Sequence, residues 1–232
     1  MQITVIGGGC YGIFQTRRLL KAMDAGKIPE CSIVVVDRNV APPASLEFRE
    51  DRRVRVVKSD WSEYLADYFL HADVGREDQL IPAHIAPHLL FNLCGAYLKS
   101  RGISNIEQVP VTVEFGLPFE KLSGDMRFIS AAAWLCPFSC IEPSVCPAIK
   151  SERTWDLSTI VPDKMSNSAD RIIVFKTTHY AWGVGSISSS HIAESCRRLA
   201  DEIRSLSNID MMIAIATTSN CHGVVGMLRV SR

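Results

Sequence analysis

Three cysteines, Cys136, Cys140 and Cys146, lie within eleven residues, and the first and third are each followed directly by proline. Thiolates are soft donors that bind zinc or iron–sulfur clusters, and they lose their protons when they do so. In a reducing compartment, clustered cysteines hold metals or carry out redox chemistry more often than they form disulfides. The spacing therefore predicts a metal centre or a redox-active thiol site.

The spacing in this segment is C-x3-C followed by C-x5-C, whereas zinc knuckles repeat a short C-x2–4-C unit or complete it with histidines. The two Cys-Pro pairs are similar to the ligand runs of ferredoxin-like proteins, which implies an iron–sulfur cluster, with zinc as the second choice. Three cysteines are one ligand short, and we expect Cys221 to supply the fourth, with His222 or His179 as alternatives. A catalytic thiol and buried structural cysteines remain open interpretations. The neighbouring Glu142 and Arg153 are expected to be solvated.

A second segment that could do chemistry, residues 7–12, reads Gly-Gly-Gly-Cys-Tyr-Gly and satisfies the pattern G-x-G-x-x-G between an apolar strand and a helix. Gly7 would make the tight turn, Gly9 would let a pyrophosphate approach the backbone, and Gly12 would let helix and strand pack closely. The phosphates would then lie on the free N–H groups at the start of the helix. Asp37, at the end of the next strand, would accept hydrogen bonds from a ribose diol.

Residues 1–60 therefore resemble the Rossmann dinucleotide-binding families, and this resemblance implies NAD, NADP or FAD as a cofactor. Arg38 directly after Asp37 leaves the choice between NAD and NADP open. Residues 54–61 also resemble the third-strand region of S-adenosylmethionine methyltransferases, in which an acid, here Asp60, would meet the adenine. We therefore count Asp60 among the candidate cofactor-binding residues. A structural glycine turn without a nucleotide is the third interpretation.

Candidate proton-transfer residues follow other predicted strands. His84 comes after the fourth strand, and a histidine pKa near neutrality suits general acid–base catalysis. His179 and Tyr180 lie in a second glycine- and serine-rich segment, residues 177–190, whose N–H groups and hydroxyls suit a phosphate or a carboxylate. The plainer interpretation is a histidine that satisfies loop backbone groups and a serine that caps the next helix.

Predicted strands alternate with predicted helices along the chain. The strands cover residues 3–6, 32–36, 54–57, 80–81, 128–132, 172–175, 211–216 and 224–230, and the helices cover 11–23, 61–69, 87–98 and 192–206. This alternation predicts an α/β fold with a Rossmann-like, mostly parallel sheet and helices on both faces. We expect a single domain over residues 1–232 with a Cys/Pro-rich insertion at 134–169. Because parallel strands end at one edge, the glycine loop, histidines and cysteines are expected to gather there.

Composition excludes several classes of protein. Hydrophobic residues make up 47% of the 232 residues and charged residues 22%, which fits an ordered domain with a sizeable core. Lys+Arg and Asp+Glu balance at 25 each, so no nucleic-acid partner is expected. No apolar run reaches the roughly 18 residues of a membrane helix. The first apolar run ends on glycines after six residues, so we expect no signal peptide and a cytoplasmic protein.

These observations together predict an NAD(P)- or FAD-binding oxidoreductase with a cysteine-ligated metal centre. Its partners would be a small-molecule substrate or anionic ligand, together with a second copy of the chain or a redox partner. The alternatives are a non-catalytic nucleotide- and metal-binding sensor or partner subunit, and a methyltransferase dependent on S-adenosylmethionine.

Overall fold

The computed structural model describes residues 1–71, 74–82, 86–137, 139–207 and 210–231. The chain divides into two compact units, and neither unit is continuous in sequence. The N-terminal unit comprises Met1–Leu89 and Thr178–Glu194, and the C-terminal unit comprises Leu90–Thr177 and Ser195–Arg232. The single domain predicted for residues 1–232 is thus divided into two parts, each with its own sheet.

The elements alternate as expected for a mixed α/β protein. The strands are β1 (Gln2–Ile6), β2 (Ser32–Asp37), β3 (Val54–Lys58), β4 (Gln79–Ile81), β5 (Ile106–Val109), β6 (Phe119–Ser123), β7 (Met126–Ser130), β8 (Val145–Cys146), β9 (Ser151–Glu152), β10 (Arg171–Lys176), β11 (Thr178–Ala181), β12 (Val184–Ser188), β13 (Asp210–Thr218) and β14 (His222–Ser231). The helices are α1 (Cys10–Asp24), α2 (Pro43–Glu47), α3 (Trp61–His71), α4 (Leu89–Ser100), α5 (Leu157–Met165) and α6 (Ser189–Ser205). Within the described ranges no helix has the length and hydrophobicity needed to cross a membrane.

The sheet of the N-terminal unit has the strand order β11-β12-β4-β1-β2-β3. The four strands β3, β2, β1 and β4 are parallel to their neighbours, whereas β12 runs antiparallel to β4 and β11 antiparallel to β12. The run Ile33–Val36 is buried on both faces of the sheet, which explains its continuous β-branched composition. Leu19 of α1 packs with Ile3 and Val35 in the core of this unit.

The sheet of the C-terminal unit differs from the mostly parallel sheet that the sequence predicted. Its order is β10-β13-β14-β7-β6, and β5 pairs with β14 beyond the end of β7. Only β10 and β13 are parallel there, and the remaining pairs are antiparallel. A tight turn at residues 219–221 joins β13 to β14, and such a connection requires antiparallel strands. The expectation that all polar candidates share the edge of one sheet is therefore wrong.

The predicted insertion at 134–169 contains a helix that belongs to the core. Helix α5 is capped by Asp156, whose carboxylate accepts the Ser158 N–H at 2.9 Å. Leu157, Val161 and Met165 lie four residues apart on one face of α5 and are fully buried. The sequence pattern did not predict this helix because Pro162 lies inside it, and an internal proline normally removes a backbone hydrogen bond.

Residues 178–188 form a hairpin rather than the predicted ligand-holding loop. Strands β11 and β12 are antiparallel, and the two turn residues Trp182 and Gly183 have φ angles of 45° and 83°. Two consecutive positive φ angles are typical of the tight turns that fit the twist of a hairpin. Ala181 and Val184, which flank the turn, are buried in the core of the N-terminal unit.

Candidate functional site

The glycine loop between β1 and α1 combines a tight turn at Gly7 with a close contact between Gly7 and Gly12. Gly7 has a φ of 95°, which strongly favours glycine, and its N–H donates to the Val36 carbonyl at 2.8 Å. A Cβ on Gly12 would lie 1.7 Å from the Gly7 carbonyl oxygen, so helix and loop touch at this point. A Cβ on Gly9 would meet no atom within 4 Å. The loop is therefore closely packed against α1 at Gly12, whereas its backbone at Gly9 is accessible.

Asp37 fastens this loop to the end of β2. Its carboxylate accepts the Gly8 N–H at 2.6 Å and the Asn39 N–H at 2.8 Å, and the residue is 5% exposed. Gly8 is also confined from the other side, since a Cβ there would lie 2.9 Å from the Pro42 Cβ. Asp37 thus has a structural role in this loop, and the ribose contact stays a prediction.

Asp60 is the N-cap of α3, and its predicted contact with a cofactor stays a prediction. Its carboxylate accepts the N–H of Ser62 at 2.8 Å. The next residue, Trp61, comes within 3.8 Å of the position that a Cβ on Gly7 would take, and the Arg38 guanidinium lies 4.9 Å from the ring centroid of Trp61. The indole N–H of Trp61 is buried and meets no acceptor among the residues that the structure describes. A buried donor of this kind is costly unless another molecule supplies the acceptor.

The candidate proton-transfer residues have local structural partners. His84 lies outside the described residues. His179, on β11, is exposed and its Nε2 accepts the Gly183 N–H at 3.0 Å across the hairpin turn. The Tyr180 ring packs against the core of the N-terminal unit, and burial, helped by the charges of Cys31 and Glu77, raises its pKa. The hairpin thus gives His179 and Tyr180 local structural contacts, and their proton-transfer role stays a prediction.

The four predicted metal ligands all belong to the C-terminal unit, and we call them the cysteine site. Cys136 and Cys140 lie in the loop after β7, Cys146 ends β8, and Cys221 lies in the turn between β13 and β14. Burial raises the pKa of Cys136, and the thiolate charges of Cys140 and Cys146 raise it further. Burial also raises the pKa of Cys221 to about 11, with smaller contributions from the charges of Glu142 and Cys136. The thiols are thus close enough to sense one another's charge.

The four thiols nevertheless do not surround a common centre. Among the described residues, no three Cys, His, Asp or Glu side chains are grouped closely enough to hold a metal ion. Four thiolates around one zinc ion at a Zn–S distance of about 2.3 Å would lie roughly 3.8 Å from one another. The cysteine site is more widely spaced than such a tetrahedron.

Two tryptophans supply N–H groups to the cysteine site. The indole N–H of Trp155 donates to the Cys221 sulfur at 3.3 Å, and the two indole rings pack edge to face with centroids 6.3 Å apart. The indole N–H of Trp134 faces Cys136 and lowers the pKa of that thiol. Within the described part of the chain, however, this N–H has no acceptor at hydrogen-bond geometry. Nε of Arg153 is likewise buried and without an acceptor among these residues. The site therefore has two unsatisfied donors as well as four thiols.

Glu142 connects the two parts of the chain that carry the cysteines. Its carboxylate accepts the Ser219 hydroxyl at 2.5 Å and the N–H groups of Asn220 and Cys221 at 2.7 and 3.3 Å. Arg153 donates from Nη1 to the carbonyls of Glu142 and Pro143. The prediction that Glu142 and Arg153 are solvated is wrong. No local pattern could have shown the Glu142 contacts, because its partners are 77 to 79 residues away.

His222, the alternative fourth ligand, begins β14 beside Cys221. Its Nδ1 and the Ser130 hydroxyl are 3.0 Å apart, and the same hydroxyl oxygen accepts the Ala132 N–H at 2.9 Å. Burial lowers the pKa of His222, while the charge of Glu142 opposes this shift. His222 is therefore anchored to the strand that leads to Cys136.

A comparison with known protein families covers the region that holds the cysteine site. Residues 89–231 match the model of the AF_1314_C family, which is described as "Uncharacterized protein, C-terminal domain". The matched region contains all four cysteines and the hairpin, but it does not contain the glycine loop. No curated protein and no solved structure matches the chain. Because the match covers well over half of its residues, the chain belongs to the AF_1314_C family.

Proposed function

We propose that this chain is an oxidoreductase that binds NAD, NADP or FAD at the glycine loop and holds a thiolate-ligated metal centre at the cysteine site. The observation that carries the proposal is the shape of the loop. The Gly7–Gly12 contact leaves no room for side chains on one side, while the backbone at Gly9 is open for a ligand. This combination is what a pyrophosphate needs in order to approach the start of a helix.

The surroundings of the loop support a Rossmann-like arrangement of the N-terminal unit. The loop follows β1, which belongs to the parallel part of the sheet with the order β3-β2-β1-β4. Helix α1 begins directly after Gly9. The first N–H groups of an α-helix have no partners within the helix, so they suit phosphate oxygens. The unsatisfied N–H of Trp61 offers one more donor near Gly7.

Asp37 and Arg38 are the residues that would meet the ribose. Both carboxylate oxygens of Asp37 already accept one backbone N–H each, and each oxygen keeps a second lone pair for a ribose hydroxyl. The Arg38 guanidinium stacks on Trp61 and would pair with a 2′-phosphate if NADP is the ligand. When bound, the dinucleotide would supply hydride chemistry.

Replacing Gly9 by alanine is expected to weaken NAD(P)H binding about tenfold or more. A methyl group would occupy the place of the pyrophosphate and break charged hydrogen bonds, each of which contributes about 1.5–3 kcal/mol. The fold should persist, because a Cβ on Gly9 meets no atom within 4 Å. Titration of NADH and NADPH, followed by fluorescence or calorimetry, measures the change. Gly95→Ala in α4, where a Cβ also meets nothing within 4 Å, is the matched control. Unchanged affinity in Gly9→Ala would exclude the glycine loop as the nucleotide site.

The cysteine site favours an iron–sulfur cluster over zinc. The Cys-Pro pairs at residues 136–137 and 146–147 are similar to the ligand runs of ferredoxin-like proteins. The unsatisfied donors on Trp134 and Arg153 suit the sulfur atoms of a cluster, which accept hydrogen bonds and are tuned by them. Cys136, Cys140, Cys146 and Cys221 would be the ligands.

We expect the protein purified without oxygen to be brown and to contain iron and acid-labile sulfide in stoichiometric amounts. NADH or NADPH should bleach the visible absorbance of an oxidoreductase, whereas a sensor would bind the nucleotide without reducing its cluster. The sensor is the second candidate because the hairpin accounts for His179 and Tyr180 without catalysis. Metal analysis and visible spectroscopy decide between these outcomes. A colourless protein with one equivalent of zinc would rule out the cluster.

A further inference from the structure

We infer that Glu142 is the positioning residue of the cysteine site, which holds Cys221 against the loop that carries the other three cysteines. This inference rests on the proposed thiolate centre. Cys221 is separated from Cys136 by 85 positions of the chain, and the pairing of β7 with β14 brings the two segments together. The side chain of Glu142 adds a contact from the loop that carries Cys140 and Cys146, since it is bonded to three consecutive residues of the β13–β14 turn.

The bonds of Glu142 fix the backbone of the turn itself. The Asn220 N–H bond of 2.7 Å is short, and the Ser219 hydroxyl that donates to Glu142 also accepts the N–H of Cys221 at 3.2 Å. The Cys221 N–H reaches the Glu142 carboxylate at 3.3 Å as well. A carboxylate that accepts several N–H and O–H groups forms stronger hydrogen bonds than a neutral acceptor does. The position of the Cys221 sulfur is therefore set through its own main chain.

The backbone of the cysteine-bearing loop is held in the conformation that directs the Glu142 side chain toward this turn. Glu142 has a φ of 49°, which is uncommon for a residue with a side chain and persists only when surrounding contacts maintain it. The Arg153 side chain maintains this φ angle by donating to the carbonyls of Glu142 and Pro143. The backbone N–H of Arg153 also donates to the Ser144 carbonyl at 2.7 Å. The Glu142 N–H lies 3.4 Å from the Cys140 sulfur, which ties the same backbone to a second ligand.

The contacts of Glu142, rather than its charge, support its role at the site. A neutral residue with the same acceptor oxygen, such as glutamine, should therefore keep part of its effect.

The test compares Glu142→Ala and Glu142→Gln with the wild type. In the metal-free protein, we expect Cys221 to react with a maleimide about tenfold or more faster in Glu142→Ala, because the buried turn is released. Glu142→Gln keeps one acceptor oxygen and should lie between the two. Glu152→Ala is the matched control, since Glu152 is an exposed carboxylate on the neighbouring β9. Mass spectrometry of digested samples gives the reaction rate of each cysteine separately.

A second measurement separates this inference from the proposed function. After anaerobic reconstitution, wild type and Glu152→Ala should bind equal amounts of iron, while Glu142→Ala should bind less than half as much and Glu142→Gln an intermediate amount. A wild-type protein without iron would refute the proposed centre, and the maleimide rates would still decide the role of Glu142. Equal maleimide rates at Cys221 in the wild type and in Glu142→Ala would overturn the inference, provided that circular dichroism shows both proteins to be folded.

Discussion

Replacing Gly12 by alanine is expected to destabilise the N-terminal unit by about 3 kcal/mol and to abolish dinucleotide binding. The new Cβ would lie 1.7 Å from the Gly7 carbonyl oxygen and 2.9 Å from its carbon, and both are backbone atoms that cannot rotate away. Helix α1 would have to move off the loop, and Leu19 would leave the core with it. Urea unfolding followed by circular dichroism measures the loss of stability.

The control for Gly12→Ala is the same substitution three residues earlier. A Cβ on Gly9 meets open space, so Gly9→Ala should unfold close to the wild-type urea concentration although its nucleotide affinity is reduced. The pair separates the role of a glycine in packing from its role in ligand access. If Gly12→Ala unfolds at the same urea concentration as Gly9→Ala, the close approach of helix and loop is incorrect.

Replacing Asp78 by alanine is expected to cost about 3 kcal/mol of stability, because three donors lose a shared acceptor. The Asp78 carboxylate is buried and accepts the Gln2 N–H at 2.7 Å, the Tyr68 hydroxyl at 2.6 Å and the Gly75 N–H at 2.9 Å. These bonds connect β1, α3 and the segment before β4 within the N-terminal unit. Thermal and urea unfolding of Asp78→Ala give the loss directly.

The ionisation of Asp78 should also make the stability of the protein depend on pH. Burial alone would raise the pKa of this carboxyl, but the Tyr68, Gln2 and Gly75 donors outweigh it and lower the pKa. The stabilising contribution is therefore complete above the ordinary carboxyl pKa of about 4 and is lost as the pH falls through the lowered folded-state pKa. Asp78→Asn should be less stable at pH 7 and should lose less stability than the wild type below pH 4.

The exposed neighbour Glu77 provides the control for this pH dependence. Glu77→Gln should leave both the stability at pH 7 and the slope of stability below pH 4 as they are in the wild type. An acid profile of Asp78→Asn that matches the wild type would mean that Asp78 is not the titrating group. The comparison uses urea midpoints measured between pH 2 and pH 7.

Features set by short stretches of sequence could be predicted. The turn of the glycine loop and all eight predicted strands occur where the local pattern indicated them. Each of these depends on residues that are neighbours in the chain, so composition and spacing contain the information. The spacing of Cys136, Cys140 and Cys146 also indicated a metal centre completed by Cys221, and this assignment stays a prediction.

Features that depend on distant pairing could not be predicted. The antiparallel arrangement of β7 and β5 against β14 joins segments about 100 residues apart, and no local pattern distinguishes it from a parallel one. The same reason hid Glu142, which reads as a surface acid until the β13–β14 turn is placed beside it. Helix α5 was hidden differently, by one proline within an otherwise clear apolar stripe.

The discontinuity of the two units has a practical consequence for truncation. A fragment that starts at residue 89 keeps the matched family region but carries β11 and β12 without β4, to which β12 is paired through Ile187 and Ser188. Such a fragment exposes an unpaired strand edge and the apolar side chains of Ala181 and Val184, which is a recognised cause of aggregation. The limits of the family match are therefore not the limits of a piece that can be expressed alone.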